Sequence, residues 1–183
     1  TCVTERAGAN AYTDVSPGDL TDTSRIFPVG GGSCPSAQLV PLTSNRGTIR
    51  SAISGLQASG STAGHLGIMW SWYTISPNWS SVWTASSFGG HSRHDPHPYG
   101  DPRIAKVAIL MTDGAFQHGF NDGFGDIDYN AQQVKVFAAT QDICSNMRSE
   151  GVTIYAIGYN INAQTLAMLT NCAGDVDRVY TTA

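Results

Sequence analysis

The chain has 183 residues, of which 41% are hydrophobic and 13% are charged, and its formal net charge is −4 at pH 7. This length suffices for one domain with a packed core. The charged fraction is about half of the usual share of roughly 25%. Lys and Arg form no cluster, which argues against nucleic acid as a partner, and no apolar run approaches the ~20 residues of a membrane helix.

The first part of the chain predicts an irregular insertion followed by a helix. Residues 1–47 lack periodicity and carry several Gly and Pro turn signals. Asn45 is a good N-cap residue, so a helix is predicted to begin near it. Ile49, Ile53 and Leu56 follow at intervals of four and three residues and define one apolar face of this helix.

A second helix is predicted after a loop of small residues at 58–64. It ends before Pro77, because the residue that precedes a proline disfavours helical geometry. Residues 78–104 form a second irregular insertion, which is long for a compact domain and is therefore expected to be functional or mobile. The residues spaced for burial on one side of the second helix are Leu66, Met69, Trp70 and Tyr73.

The remainder of the chain alternates strands and helices. Residues 106–112 are almost all apolar and predict a buried strand, since continuous apolar runs suit parallel strands covered on both faces. The whole order predicts one α/β domain, a mostly parallel sheet with helices on both faces. A long helix, a buried strand, a short helix and a last short strand are predicted in turn at 129–148, 152–157, 163–170 and 178–180.

The four cysteines, Cys2, Cys34, Cys144 and Cys172, include no CxxC pair. This argues against zinc ribbons and thioredoxin-like chemistry. An even number at wide spacing suits two disulfides in an oxidising compartment. Order along the chain favours Cys2–Cys34 and Cys144–Cys172, each contributing roughly 3–4 kcal/mol. The alternative is four buried thiols in a cytosolic protein.

The tryptophans allow two interpretations. Trp70, Trp72, Trp79 and Trp83 form either an exposed aromatic surface for a partner or a core with loop anchors. The core is favoured for Trp70, and both interpretations stay open for Trp79 and Trp83. His65, at the start of the second helix, is expected to be packed or hydrogen-bonded, not catalytic.

Two oxygen-bearing side chains are candidates for a metal site. Asp113 ends the predicted strand beside a glycine, and such a carboxylate suits a hard cation such as Mg²⁺. Asp-Gly at a strand end is also ordinary turn chemistry. Thr62 lies in the small-residue loop before a helix, where its hydroxyl can reach a cation. The more common role there is a helix N-cap, which Ser61 could fill equally.

Residues 61–67 (STAGHLG) and 110–114 (LMTDG) resemble the von Willebrand factor A-type (vWA) domains. In that family a divalent ion, usually Mg²⁺, is held at a metal-ion-dependent adhesion site. Its ligands come from a DxSxS loop after the first strand, a Thr in a later loop and an Asp at the end of the central strand. The resemblance implies that Thr62 and Asp113 are the second and third of these elements.

A narrower resemblance covers nearly the whole chain. Several segments, in order, are similar to the vWA region of the TadG-like proteins of tight-adherence (Flp) pilus assembly. This resemblance implies an extracytoplasmic protein-binding module, not an enzyme, whose partner is a pilin, another envelope protein or a host surface. The segments are 2–6 (CVTER), 34–35 (CP), 41–43 (PLT), 62–67 (TAGHLG), 70–73 (WSWY) and 75–77 (ISP).

The chain departs from the family because it contains no DxSxS motif. We therefore expect it to be truncated before that loop, without the first strand, and to reach the membrane only through a segment outside this chain. Thr62 and Asp113 alone cannot fill the near-octahedral shell of Mg²⁺, so weak binding or none is expected. The open strand position also makes a homodimer, formed by strand or helix exchange, an expected state.

Two other functions stay open. His91, His94 and His97 are three residues apart and could gather around Zn²⁺ or Cu²⁺. With Zn²⁺ they would serve a metal-dependent hydrolase that uses Asp95 or Asp113. Neighbouring prolines exclude a regular helix there, so a solvated loop is favoured over a metal site. The other alternative is a structural envelope domain whose ion site is vestigial.

Overall fold

The structure is a computed structural model that describes residues 2–3, 5–6, 8–17, 28–29, 37–57, 62–83, 95–114, 116 and 129–182, with backbone alone at 2–3, 28–29 and 129–134. In this part of the chain, no helix is both long enough and apolar enough to cross a membrane. The strands and helices are β1 Cys2–Val3, β2 Pro28–Val29, α1 Arg46–Ser54, α2 Gly64–Ile75, β3 Val107–Thr112, α3 Tyr129–Ser149, β4 Thr153–Tyr159, α4 Ala163–Ala173 and β5 Val179–Thr182.

The main sheet has the order β3-β4-β5 with both pairs parallel. Val107 is paired with Thr153, and Ala156 is paired with Val179. The short strands β1 and β2 form a separate antiparallel pair. The predicted alternation of helices and strands and the predicted parallel sheet are therefore confirmed.

The described helices cover only one face of this sheet. Helix α3 contacts both α2 and α4, and all three helices contact the sheet. Because side chains alternate along a strand, every second residue of β3 points away from these helices. Val107, Ile109 and Met111 are 47%, 64% and 70% exposed. The prediction of helices on both faces, with β3 buried between them, is therefore wrong for the described residues.

Helix α1 begins as predicted but its apolar face is not packed. The Asn45 side chain accepts hydrogen bonds from the N–H groups of Gly47 and Thr48, 2.9 and 3.2 Å away. This satisfies two backbone donors that a helix start otherwise leaves without partners. The three predicted face residues, Ile49, Ile53 and Leu56, are exposed.

The ends of the next helices follow local sequence signals. Helix α2 ends at Ile75, and Ser76 then caps a 3-10 helix over Pro77–Trp79. Helix α4 begins after Asn162, whose side chain accepts from the N–H of Thr165 at 2.8 Å. It ends at Gly174, which has a left-handed φ of 71°, a conformation that glycine adopts without steric cost.

The core lies between α2, α3 and α4 and the inner face of the sheet. Trp79 and Trp83 are buried in it, so the interpretation of these residues as a partner surface is wrong. Trp72 is also more deeply buried than Trp70, which sequence spacing placed on the inner side. Fully buried members of the core include Met69, Trp72, Tyr73, Trp79, Phe116, Ile143, Met147, Ile154, Met168 and Leu169.

A disulfide joins α3 to α4. It links Cys144 and Cys172, whose Cα atoms are 5.0 Å apart, and both side chains are buried. The predicted Cys144–Cys172 pairing is therefore confirmed. Cys34 lies outside the described residues, so the pairing with Cys2 stays a prediction.

Candidate functional site

Thr62 and Asp113 line one cavity of 690 Å³ at the carboxyl end of β3. Both residues are exposed. The cavity continues between α2 and the edge of β3, where Ile68 and Leu110 form part of its lining. The structure thus brings together the two metal-site candidates, which are 51 positions apart in the sequence. In open parallel sheets, ligands bind at the carboxyl ends of the strands.

The local backbone leaves both candidate side chains at the cavity. Ala63 is the N-cap residue of α2 and makes no side-chain cap, so the alternative role of Thr62 as the cap is not adopted. Asp113 follows β3 directly, and the turn after it closes through the N–H of Gly114, which donates to the Thr112 hydroxyl at 3.3 Å. The side chain that accepts the hydrogen bond in this turn is therefore that of Thr112 and not that of Asp113.

A contact between Gly64 and Phe116 holds the two loops together. Phe116 is buried and lies so close to Gly64 that a Cβ atom there would overlap the aromatic ring. The ring also meets Phe137 of α3 edge-on, with centroids 6.3 Å apart. Gly64 lies two residues after Thr62, and Phe116 lies three after Asp113, so this contact sets the spacing of the site.

The donor chemistry of the pair fits a hard cation in part. A hydroxyl and a carboxylate are oxygen ligands of the kind that Mg²⁺ prefers. They supply two of the roughly six ligands that such an ion needs. Among the described residues, no group of three or more His, Cys, Asp or Glu side chains is arranged to hold a metal. Any complete site thus needs ligands from elsewhere.

His65 sits in the first turn of α2, beside the site. It is 1% exposed and its Nε2 bonds to the carboxylate of Glu5. Its Nδ1 has no hydrogen-bond partner within the described residues. The prediction of a packed, hydrogen-bonded histidine is confirmed, and the pair ties the start of the chain to α2.

A second buried polar cluster anchors residues 8–17 to the end of α2. The buried Asp14 carboxylate accepts hydrogen bonds from Ser76 at 2.5 Å, Asn78 at 3.2 Å and Tyr99 at 2.6 Å. The backbone oxygen of Asp14 accepts from the indole N–H of Trp79 at 3.0 Å. Part of the predicted 1–47 insertion therefore belongs to the packed core.

Two tyrosines of this cluster are held in the neutral form. Burial raises the pKa of Tyr73 to about 12. Burial and the hydrogen bond to Asp14 raise the pKa of Tyr99 above its ordinary range. The ring of Tyr73 stacks on Trp79 with centroids 3.7 Å apart, and the guanidinium of Arg6 lies 5.6 Å from the Trp79 ring centroid. None of these groups lines the cavity at Thr62 and Asp113.

Of the three histidines of the predicted metal site, only His97 lies among the residues that the structure describes. His97 Nδ1 lies 3.4 Å from an Asp101 carboxylate oxygen. Arg103 also bonds Asp101, and this holds the pKa of that carboxyl well below its usual range. His91 and His94 lie outside the described residues, so a zinc site in this loop stays a prediction.

Comparison with known proteins adds little to this picture. No protein-family model and no curated protein matches the chain. A solved structure of proximal thread matrix protein 1 from the mussel byssus matches with 22% identity and a TM-score of 0.39. The match covers 77% of this chain and 25% of the mussel protein, so the chain spans about a quarter of that protein's length. A likeness at this level carries no argument about function, which has to be inferred from the residues of the site.

Proposed function

We propose that the chain is part of a vWA-type protein-binding module of a bacterial pilus-assembly or adhesion system, and that it binds a protein partner with the help of a divalent cation. The observation that carries this proposal is the position of Thr62 and Asp113 at one cavity beyond the carboxyl end of β3. Binding and not catalysis is proposed because the site pairs a hydroxyl with a carboxylate, and because Cys172, which also lines the cavity, is held in a disulfide.

In this proposal Thr62 and Asp113 hold Mg²⁺ through one hydroxyl and one carboxylate oxygen. The bound ion supplies a positive charge that a carboxylate of the protein partner can meet directly. The DxSxS loop of a longer protein supplies the remaining protein ligands. The Gly64–Phe116 contact keeps the loops of Thr62 and Asp113 at a fixed spacing.

The disulfide supports a location outside the cytoplasm. The bond between Cys144 and Cys172 is of a kind that forms and persists in oxidising compartments. Both cysteine side chains are fully buried, which fits a structural bond. Attachment to the membrane is proposed through a segment outside this chain.

Cation binding is tested with Mn²⁺, which replaces Mg²⁺ at oxygen sites and is measured by electron paramagnetic resonance. We expect weak binding by this chain, in the millimolar range, and at least about tenfold weaker binding after Asp113→Ala or Thr62→Ala. Asp177→Ala is the matched control, since Asp177 is also an exposed carboxylate. Equal Mn²⁺ binding by the Asp113→Ala and Asp177→Ala variants would contradict the proposed site.

The biological role is tested in the protein that includes the upstream loop. Asp113→Ala, introduced at its genomic copy, is expected to abolish pilus assembly while the protein level is unchanged. Asp177→Ala is expected to leave assembly intact. Normal assembly with Asp113→Ala would favour the alternative of a structural envelope domain with a vestigial ion site.

A further inference from the structure

Thr62, one of the two candidate cation ligands, depends on the first turn of α2 for its position. It lies directly before Ala63, the N-cap residue of this helix, which makes no side-chain cap. The Ala63 carbonyl accepts from the N–H groups of Leu66 at 3.0 Å and Gly67 at 3.3 Å, so Ala63 is fixed to the turn. Whatever holds this turn in place therefore also places Thr62.

Two contacts hold the first turn of α2 from different directions. One is the packing of Gly64, which lines the cavity, against Phe116. The other is the bond between His65 and the Glu5 carboxylate. Successive residues of a helix point about 100° apart, so the two contacts lie on different sides of the turn. The His65 ring is 1% exposed and faces the packed interior.

The Glu5 carboxylate determines which nitrogen of His65 carries the proton. A carboxylate only accepts hydrogen bonds, so Nε2 is protonated and donates to it. In the neutral ring, Nδ1 then carries the lone pair, and it has no hydrogen-bond partner within the described residues. The directional contact of the ring is therefore the one through Nε2, which connects α2 to the segment of Glu5.

The segment that carries Glu5 is itself fixed to the core. The next residue, Arg6, is buried and donates to the carbonyls of Thr13 at 3.2 Å and Val15 at 2.7 Å. Its guanidinium lies 5.6 Å from the ring centroid of Trp79. A residue can hold a site in place only if its own surroundings hold it. Glu5 meets this requirement through its neighbour.

We propose that Glu5 and His65 are positioning residues for Thr62. Their hydrogen bond fixes the first turn of α2, so that Thr62 stays at the cavity it shares with Asp113. Neither of the two is among the described residues that line this cavity, so they act through the helix and not on the cation. The inference rests on the proposed cation-dependent function and gives the segment of Glu5 a part in it.

Two substitutions at His65 separate positioning from simple packing. The amide nitrogen of Gln is as many bonds from Cα as Nε2 of His, so His65→Gln keeps the donor to Glu5. The amide nitrogen of Asn takes the place of Nδ1, so His65→Asn loses this hydrogen bond. The NMR order parameter of the Thr62 amide, measured without any cation, is expected to stay near about 0.85 in His65→Gln and to fall below about 0.6 in His65→Asn.

The same comparison is made at Glu5, whose side chain is 13% exposed, so that substitution there threatens the fold less. Glu5→Ala removes the acceptor and is expected to lower the Thr62 order parameter, whereas Glu5→Gln keeps a carbonyl oxygen and is expected to preserve it. Met69→Ala is the matched control, because Met69 is also buried in α2 but lies one turn later. It should lower stability and leave the order parameter of Thr62 unchanged.

Mn²⁺ binding, followed by electron paramagnetic resonance, connects the pair to the cation site. His65→Asn and Glu5→Ala are expected to weaken it about threefold to tenfold, and both Gln variants to stay within about twofold. Unchanged Thr62 order in His65→Asn and Glu5→Ala, or an equal loss of order in Met69→Ala, would overturn the positioning role. So would unchanged Mn²⁺ binding by His65→Asn where Asp113→Ala loses it. Unchanged binding by Asp113→Ala contradicts the proposed function instead, and the order parameter is measured independently of that result.

Discussion

The ring of Phe116 occupies the space in which a side chain at Gly64 would lie. The contact joins the loop after β3 to the first residue of α2, and so joins the two loops that carry Asp113 and Thr62. The contact is possible only because Gly64 has no Cβ atom. The spacing of the two loops at the candidate ion site therefore depends on packing between Gly64 and Phe116.

Gly64→Ala is expected to destabilise the fold by about 1–3 kcal/mol, because the new methyl group forces Phe116 out of its position. Gly67→Ala, in the same helix, meets no atom within 4 Å and is expected to stabilise by up to about 1 kcal/mol through helix propensity. Urea unfolding followed by tryptophan fluorescence measures both. Equal stabilities of the two variants would show that Phe116 does not require glycine at this position.

Removing the disulfide with Cys144→Ala and Cys172→Ala together is expected to cost about 3–4 kcal/mol, since the bond closes a loop across 28 positions. Thermal unfolding measures the loss. Peptide mapping without reduction identifies the pairing of Cys2 and Cys34 in the same variant. A mixed pairing of either with Cys144 or Cys172 in the unmodified chain would contradict the structure.

Alkaline pH is expected to weaken the fold through Tyr73. Its pKa is raised from 10.0 to about 12 by burial, so the unfolded state loses this proton first as pH rises. The contribution, about 2–3 kcal/mol, is complete below pH 10 and is lost as pH rises through 12. In Tyr73→Phe, the free energy of unfolding should fall less steeply above pH 10 than in the unmodified chain. Urea titrations at several pH values give both slopes, and identical slopes would contradict this role of Tyr73.

Asp14→Asn is expected to destabilise the fold by about 2–3 kcal/mol at neutral pH, because a neutral amide oxygen accepts less strongly than the carboxylate oxygen to which Ser76, Asn78 and Tyr99 all donate. Asp177→Asn, an exposed position, is the control and should change stability by less than about 0.5 kcal/mol. Chemical denaturation reports both values. A stability close to the control would mean that the Asp14 cluster does not anchor residues 8–17.

Much of the fold is encoded locally and could be predicted. Strands β3 and β4 are short apolar runs, and α1 and α4 begin at the side-chain caps of Asn45 and Asn162. Such signals involve residues within four positions of each other, so sequence alone contains them. The exposure of β3 was not predictable in this way, because a run of six consecutive nonpolar or weakly polar residues has no alternation to distinguish an open face from a covered one.

The site was predictable only in part. Thr62 and Asp113 are candidates from their side-chain chemistry and their positions in the sequence, and the family resemblance adds to this; the structure puts both at one cavity. Phe116 carried no signal, since an isolated aromatic residue in a glycine-rich loop looks like any loop anchor. The partners of Asp14 are 62 to 85 positions away, and contacts over such separations leave no periodicity in the sequence. Polar clusters of this kind can therefore be recognised only in the folded structure.

The bond between α3 and α4 also limits how far the chain can be stretched. Strand β4 and nearly all of α4 lie within the segment closed by Cys144 and Cys172, whose Cα atoms stay 5.0 Å apart. A force applied to the two ends of the chain bypasses these 28 positions, which removes roughly 90 Å from the fully extended length. The central strand of the sheet is thus shielded from tension, and in a single-molecule pulling experiment reduction would lengthen the final extension by that amount.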